Sequence, residues 1–292
     1  MKSWSTIAAY IAQATGEPFE PRPPSSVGGG CINTAVRLSD HRRSFFVKLN
    51  SAERLEMFAA EAEGLGEMAQ SHCIRVPEPV CHGTVDGQAY LVMEHIALGR
   101  PGGDGPEQAG RQLAAMHRNG RERFGWHRDN TIGSTYQPNA SSADWIEFWR
   151  GQRLGFQLRL ALRNGHGGRL QSQGEKLLER FPALIDHDPQ PALLHGDLWG
   201  GNLGYDSDGH PVIYDPAVYY GDREAELAMT ELFGGFPGHF YAAYEEAWPL
   251  APGYQVRKTL YNLYHILNHL NMFGGGYLGQ AQRMIDRLLA EV

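Results

Sequence analysis

The stretch Leu194-His195-Gly196-Asp197-Leu198-Trp199-Gly200-Gly201-Asn202, followed by Ile213-Tyr214-Asp215-Pro216, constrains this chain more than any other. It sets an aspartate, an asparagine five positions later and a second aspartate thirteen beyond that. Short β-type runs at Ala192 to Leu194, Leu203 to Tyr205 and Val212 to Tyr214 flank these residues, so the three polar side chains lie on a strand-loop-strand frame that can fold them together. A lone Asp beside Gly is usually a turn former, and an Asn before a strand usually a cap. Their joint spacing is what marks a site.

Around this frame the chain divides in two. Trp4, Ile7, Ala8 and Ile11 recur at helical spacing. After the proline-rich connector Pro18 to Pro24 come β-type runs at Thr34 to Leu38 and Ser44 to Leu49, then a helical pattern over 53–69 and a hairpin whose strands, Val80 to Val85 and Ala89 to Glu94, are split by Asp86-Gly87. The run Gly99 to Pro106 breaks all periodicity. Beyond it helical patterns dominate, at Gln108 to His117, Asp144 to Ala161, Gly174 to Phe181, Arg223 to Phe233, Phe240 to Trp248, Val256 to Phe273 and Leu278 to Leu289. The expected organisation is α+β: a small antiparallel-sheet lobe with one main helix over 1–98, a linker over 99–107 and a larger helical lobe over 108–292.

The trio fits phosphoryl transfer, which needs the nucleophile aligned and the triphosphate charge neutralised by metal. One carboxylate, Asp197, can take the acceptor hydroxyl proton, while Asn202 and Asp215 offer oxygen ligands to Mg²⁺, a hard ion. Upstream, Gly28-Gly29-Gly30 lies where a strand should turn back over the triphosphate and offer backbone N–H groups to it. The match to G-x-G-x-x-G is partial, with Asn33 where the third glycine would stand, and no Gly-Lys-Ser/Thr ending marks a P-loop. Lys48, one of four lysines among 26 basic residues, lies in an apolar strand and suits contact with the α/β-phosphates. Its partner is expected on the following helix, at Glu61 in preference to Glu63.

Composition excludes other classes. With 33 acidic against 26 basic residues the net charge is −7, which argues against nucleic acid or an anionic membrane as partner. Cysteines 31, 73 and 81 are odd in number and lack a CxxC pair, so no disulfide framework or zinc site is expected. No apolar run approaches the ~18 residues needed to cross a bilayer. A cytoplasmic location is the expectation.

Four segments together resemble the fructosamine kinase (ketosamine-3-kinase) family: Gly28-Gly29-Gly30-Cys31-Ile32-Asn33, Phe124-Gly125-Trp126-His127-Arg128-Asp129-Asn130-Thr131-Ile132-Gly133-Ser134, His195 to Asn202, and Asp215-Pro216-Ala217-Val218-Tyr219-Tyr220-Gly221-Asp222-Arg223-Glu224. The resemblance runs from about Ile7 to Leu289. It implies a protein-kinase-like two-lobed fold close to the aminoglycoside and choline kinases, ATP and Mg²⁺ as cofactors, and phosphorylation of the 3-hydroxyl of small-molecule or protein-bound ketosamines. Carried over, Asp197 resembles the catalytic base, Asn202 and Asp215 the metal ligands, and Lys48 and Glu61 the phosphate-orienting pair. Gly28, Gly29, Gly30, Cys31 and Asn33 would cover the nucleotide, Met93, Glu94 and His95 would read adenine, and Trp199, with Tyr219 and Asp222, would meet the sugar.

Only about seven residues separate Asp215 from the helix near Arg223, and no Ala-Pro-Glu follows, so a long phosphorylatable activation segment is absent and constitutive competence is expected. Pro216, with its φ fixed, replaces the Phe whose flipping gates many protein kinases. Cys31 in the glycine loop makes inhibition by oxidation an expectation, with the chain a monomer or a Cys31-linked homodimer. The alternatives are an aminoglycoside- or choline-type phosphotransferase, which shares the His-Gly-Asp and Asn spacing but wants an acidic acceptor site, and a redox-sensitive pseudokinase, which the intact Lys48, Asp197, Asn202 and Asp215 disfavour.

Overall fold

The computed structural model describes residues 2–28 and 32–292. The chain forms two compact units, Met1–Gly105 with Gly204–Pro216, and Pro106–Leu203 with Ala217–Val292. In the first, helix α1 (Lys2–Thr15) precedes a five-stranded antiparallel sheet made of β1 (Ser25–Ser26), β2 (Thr34–Ser39), β3 (Ser44–Ser51), β4 (Pro79–Val85) and β5 (Gln88–Glu94). The strand order is β1-β2-β3-β5-β4, and helix α2 (Leu55–Gln70) lies between β3 and β4 in the chain.

Local chemistry sets the hairpins. Asp86 and Gly87 both take positive φ, +47° and +78°, the backbone of a tight turn whose twist matches the strands it joins. The Asp40 carboxylate accepts the N–H groups of Arg42 and Arg43 at 2.7 and 2.6 Å and closes the β2–β3 turn. The two-residue alternation of β3 then sorts its side chains by face. Phe45, Val47 and Leu49 join Ile7 and Ile11 of α1 in one core, while Lys48 points the other way, to α2.

The structure corrects the expected linker. Residues 99–107 are no separate connector: Gly99 N–H donates to the Tyr205 carbonyl at 2.7 Å and Gly102 N–H to the Gly209 carbonyl at 3.1 Å, and helix α3 (Gly105–His117) has begun by residue 105. The glycines serve close backbone approach, for a Cβ on Gly209 would lie 2.5 Å from the Gly102 nitrogen. The segment 204–216, expected in the helical lobe, belongs to the first unit for the same reason. It carries part of β9 (Leu203–Tyr205) and all of β10 (Pro211–Ile213), which pair with each other. Ile213 N–H donates to the Arg75 carbonyl at 3.0 Å, and the Arg75 guanidinium grips Asp206 and Glu94 at 2.7 and 2.6 Å.

The second unit continues from α3 with a hairpin, β6 (Asn130–Ile132) and β7 (Thr135–Gln137), then α4 (Trp145–Phe148), α5 (Gly155–Arg163) and α6 (Arg169–Arg180). An antiparallel pair, β8 (Ala192–Leu194) with β11 (Tyr219–Gly221), brackets the motif region, and α7 (Arg223–Leu232), α8 (Gly238–Ala247), α9 (Tyr254–Phe273) and α10 (Leu278–Leu289) complete it. Leu260, Leu263, Ile266, Leu267 and Leu270 make α9 the buried axis of this unit. The single helix expected from Asp144 to Ala161 is interrupted by a π-helical turn, Trp149–Leu154, which brings Arg153 fully inside. There its guanidinium donates to the Pro138 carbonyl and Asn139 Oδ1 and stacks 4.2 Å from the Tyr219 ring. No described helix is long and apolar enough to cross a membrane.

Candidate active site

The loop that follows β8 is built around Asp197. Gly196 adopts φ +84°, and a Cβ there would lie 2.1 Å from the Ala217 carbonyl oxygen, so the turn into Asp197 admits no side chain. The main chain of Asp197 is tied on both sides. Its N–H donates to His195 Nδ1 at 3.2 Å, and its carbonyl accepts from Asn202 Nδ2 at 2.8 Å. Asn202 N–H donates to the Trp199 carbonyl at 2.9 Å, which closes the loop on itself. Leu198 is buried as the anchor, whereas the Trp199 ring, 38% exposed, stands out of the surface. Its edge meets Phe233, which stacks on His269 at 4.7 Å.

In the first unit, Lys48 is 5% exposed and its Nζ donates to Glu61 Oε1 at 2.5 Å and to Asp215 Oδ1 at 2.7 Å. Helix α2 supplies Glu61 on its inner side, and Glu63, two positions on, faces solvent. Burial alone favours the neutral amine, but the carboxylates of Glu61 and Asp215 outweigh it and hold the Lys48 pKa above its ordinary 10.5. Lys48 is therefore a fixed cation. Asp215 takes φ +60°, a left-handed conformation unusual for a residue with a side chain, and it does so where its carboxylate meets Lys48.

The other expected residues divide. Val27 N–H donates to the Ala35 carbonyl, which holds the start of the glycine segment to β2, and Gly28 is exposed. Asn33 Oδ1 accepts from Asn50 Nδ2 at 2.7 Å at the end of β3. Gly29, Gly30 and Cys31, and with them the nucleotide-covering and redox roles expected of that stretch, lie outside the described residues. Met93 is 2% exposed, and Glu94 N–H donates to the Glu78 carbonyl, while the Glu94 carboxylate pairs with Arg75. His95 Nδ1 lies 3.3 Å from Ser44 Oγ, and burial with Arg37 nearby lowers its pKa.

Two expected sugar contacts are corrected. Tyr219 is 3% exposed, with its ring under the Arg153 guanidinium. Asp222 is 2% exposed; it caps α7 by accepting from Glu224 N–H at 3.0 Å, and its other oxygen meets His187 and the Tyr261 hydroxyl. Both are committed to the interior, so neither presents a surface to a solute.

Sequence reasoning passed over Glu226, two residues beyond the last quoted motif. From α7 its carboxylate accepts the N–H of His195 at 2.9 Å and of Gly196 at 2.6 Å, with His117 Nε2 at 2.9 Å. A glutamate one turn after a helix N-cap reads as a surface residue of the first turn; the only hint is that Ala225, Leu227, Ala228 and Met229 leave its helix with little polar face.

Comparison with known proteins shows the family. The family profile described as fructosamine kinase matches residues 3–291. A Synechocystis sp. protein that carries a ketoamine kinase name is 51% identical over 98% of this chain and 97% of its own. A rice protein named protein-ribulosamine 3-kinase, chloroplastic, is 45% identical over 91% of this chain and 78% of its own. A crystal structure from Haemophilus somnus that carries a fructosamine-3-kinase name superposes with a TM-score of 0.90 at 29% identity, covering 98% of each chain. A choline kinase from Streptococcus pneumoniae, 13% identical with a TM-score of 0.63 over 99% of this chain and 100% of that one, shares the protein-kinase-like fold.

Proposed function

The chain is a kinase of the fructosamine kinase family, and from that premise we propose that it transfers the γ-phosphoryl group of ATP to the sugar 3-hydroxyl of ketosamines, free or carried on proteins. The observation that carries the acceptor assignment is Trp199: a large ring standing exposed two residues after Asp197, on a loop otherwise pinned by hydrogen bonds. Sugars present C–H faces to aromatic rings and hydroxyls at their edges, so such a ring beside a carboxylate suits a sugar with one hydroxyl to be deprotonated.

Asp197 accepts the proton of the 3-hydroxyl as the oxygen forms its bond to phosphorus; the bond from phosphorus to the β-phosphate bridging oxygen breaks and ADP leaves. Lys48, oriented by Glu61, contacts the α/β-phosphates as a cation. The adenine falls to the Met93–His95 stretch, through main-chain atoms and His95, since the Met93 side chain is buried and Glu94 N–H is engaged. Asn202 and Asp215 are the proposed Mg²⁺ ligands, and their chemistry fits. The Asn202 amide nitrogen is engaged by the Asp197 carbonyl, which leaves Oδ1 as its donor, and Asp215 adds a carboxylate, a hard oxygen set. The metal supplies charge neutralisation on the phosphate oxygens. Phosphorylation of C3 destabilises the adduct and releases the amine, a deglycation repair. The proposed compartment is the cytoplasm, where thiols such as Cys73 and Cys81 stay reduced.

A coupled ADP-release assay over ribulosamine, fructosamine, kanamycin and choline tests the assignment. Turnover is expected on the two ketosamines; turnover of kanamycin or choline alone would overturn it. For the acceptor platform, Trp199→Ala is expected to raise the ketosamine KM about tenfold, the worth of one aromatic stacking contact, with the ATP KM unchanged in the same assay.

A further inference from the structure

We propose that His265 sets how long a ketosugar the acceptor site takes: from the closed end of that site its imidazole hydrogen-bonds the far hydroxyl of the sugar and crowds out a further hydroxymethyl group. The proposal rests on the reading of the acceptor as a ketosamine.

Asn262, His265, His269 and Phe273 recur at i, i+3, i+7 and i+11 along α9, so their side chains share one face of that helix. Exposure falls along the face. Phe273 is 57% exposed and His269 half-buried, whereas His265 is 5% and Asn262 7% exposed. At the open end the His269 ring stacks on Phe233 at 4.7 Å and meets Tyr277 edge to face at 5.1 Å, and Phe233 in turn meets Trp199. The face therefore leads inward from the Trp199 platform.

Buried polar groups are nearly always hydrogen-bonded, and each exception calls for a cause. This stripe holds three exceptions. Asn262 Oδ1 and His269 Nδ1 are buried with no hydrogen-bond partner among the described residues, and His265 makes no hydrogen bond to them either. A solute with hydroxyls along its length supplies the missing donors and acceptors. Burial, with His269 and the Arg153 cation adding to it, brings the His265 pKa down to about 3, so its ring is neutral wherever the enzyme works. A neutral imidazole donates from one nitrogen and accepts at the other, which suits a hydroxyl that does both. The base is within electrostatic reach of this part of α9: burial, with the Asp197 carboxylate adding to it, pushes the neighbouring Tyr264 hydroxyl up to about 12.

The chemistry of the acceptor fixes which end goes in. A ketosamine carries its amine on C1, and when that amine belongs to a protein the C1 end must stay outside. With the C3 hydroxyl at Asp197, the carbons beyond C3 point to the closed end. Ribulosamine and fructosamine differ there, for the hexose carries one carbon and one hydroxyl more. His265, a large ring fixed on a buried helix, is placed to meet that difference.

The test is kcat/KM for ribulosamine and for fructosamine, measured by ADP release on the full chain. Wild type is expected to favour ribulosamine about tenfold or more, the worth of one carbon unit in a fitted pocket. His265→Ala should lose about tenfold on ribulosamine, whose hydroxyl loses its partner, while fructosamine gains room, so the ratio falls to within about threefold. A merely structural role would lower both sugars alike. His265→Asn carries the test should H265A fail to fold: it keeps a donor and an acceptor near the place of Nδ1 and lacks the far half of the ring. H265N is expected to hold ribulosamine within about threefold of wild type and to raise fructosamine about tenfold. A wild type that does not favour ribulosamine, or a ratio that moves by less than about threefold in the variants, overturns the proposal. A wild-type chain that turns over neither ketosamine refutes the proposed function and this proposal with it; turnover of both with an unmoved ratio refutes the role of His265 alone.

Discussion

Asp197→Asn should phosphorylate ribulosamine roughly 10²–10⁴-fold more slowly than the wild type, the range that a positioned general base contributes. The substitution is nearly isosteric, and the main chain of the residue is held by His195 Nδ1 and by Asn202 Nδ2, which also reaches the carboxylate Oδ2 at 3.5 Å. The loop should therefore keep its shape and the thermal midpoint stay within a few degrees. What disappears is the proton acceptor: an amide cannot take the hydroxyl proton, and its NH₂ can face the hydroxyl with the wrong polarity. The transition state of phosphoryl transfer is loose, with little bond formation to the acceptor oxygen, and this keeps the expected loss below that of removing a nucleophile. A loss of 10³ corresponds to about 4 kcal/mol of transition-state stabilisation. Steady-state ADP release at saturating ATP and acceptor measures it, and KM values should move little, because the ground state does not need the proton transfer. A loss smaller than about tenfold would show that the proton leaves by another route.

The loop around Asp197 was recognisable because the residues that set its spacing also set its geometry. The spacing of Asp197, Asn202 and Asp215 is a property of the chain, and the asparagine side chain that makes the spacing recognisable also ties down the Asp197 carbonyl. Long periodic elements such as β2, β3, α2 and α9 were readable for the usual reason, a repeated burial pattern. The two- and three-residue strands β1, β6, β7 and β11 were not, since a run that short carries no period; β8, β9 and β10 are as short and were read only as brief runs beside the motif residues. The linker failed differently. A run rich in glycine has the composition of a flexible hinge, yet Gly99 and Gly102 are there to let one backbone meet another at hydrogen-bonding distance. Tyr219 and Asp222 were misjudged because proximity to a motif says nothing about which way a side chain faces; the register of β11 and the cap of α7 turn both inward. Glu226 was missed for the complementary reason. Its role exists only through bonds to the main chain of residues thirty positions away, and a main-chain N–H has no signature in a sequence.

Lys48→Met is expected to lower kcat roughly 10²–10³-fold, the second of the large effects, because it removes a cation from the phosphates in a setting where the field is little screened. The side chain lies in the sheet between an apolar strand and α2, with Glu61 10% exposed and Asp215 48% exposed. Removing the cation leaves Glu61 as a buried, unpaired carboxylate, and breaking such a pair costs about 3–5 kcal/mol; the more exposed Asp215 arm is screened and adds less. A lowered thermal midpoint should accompany the loss of rate. Glu61→Gln separates the two effects: it keeps the lysine and a neutral hydrogen-bond acceptor, so it should lose only about tenfold in kcat, the worth of orientation without charge. The pH profile gives an independent check. The Lys48 pKa is raised above its ordinary 10.5, so the proton is bound in the folded state, its contribution is complete below that value, and it is lost only as pH rises through the raised one. The rate between pH 6 and about pH 9 should therefore show no limb that vanishes in K48M. A K48M enzyme within about threefold of wild type would show that the phosphates are held by another cation, and an alkaline limb below about pH 9 that disappears with the substitution would show that Lys48 itself titrates there and is not a fixed cation.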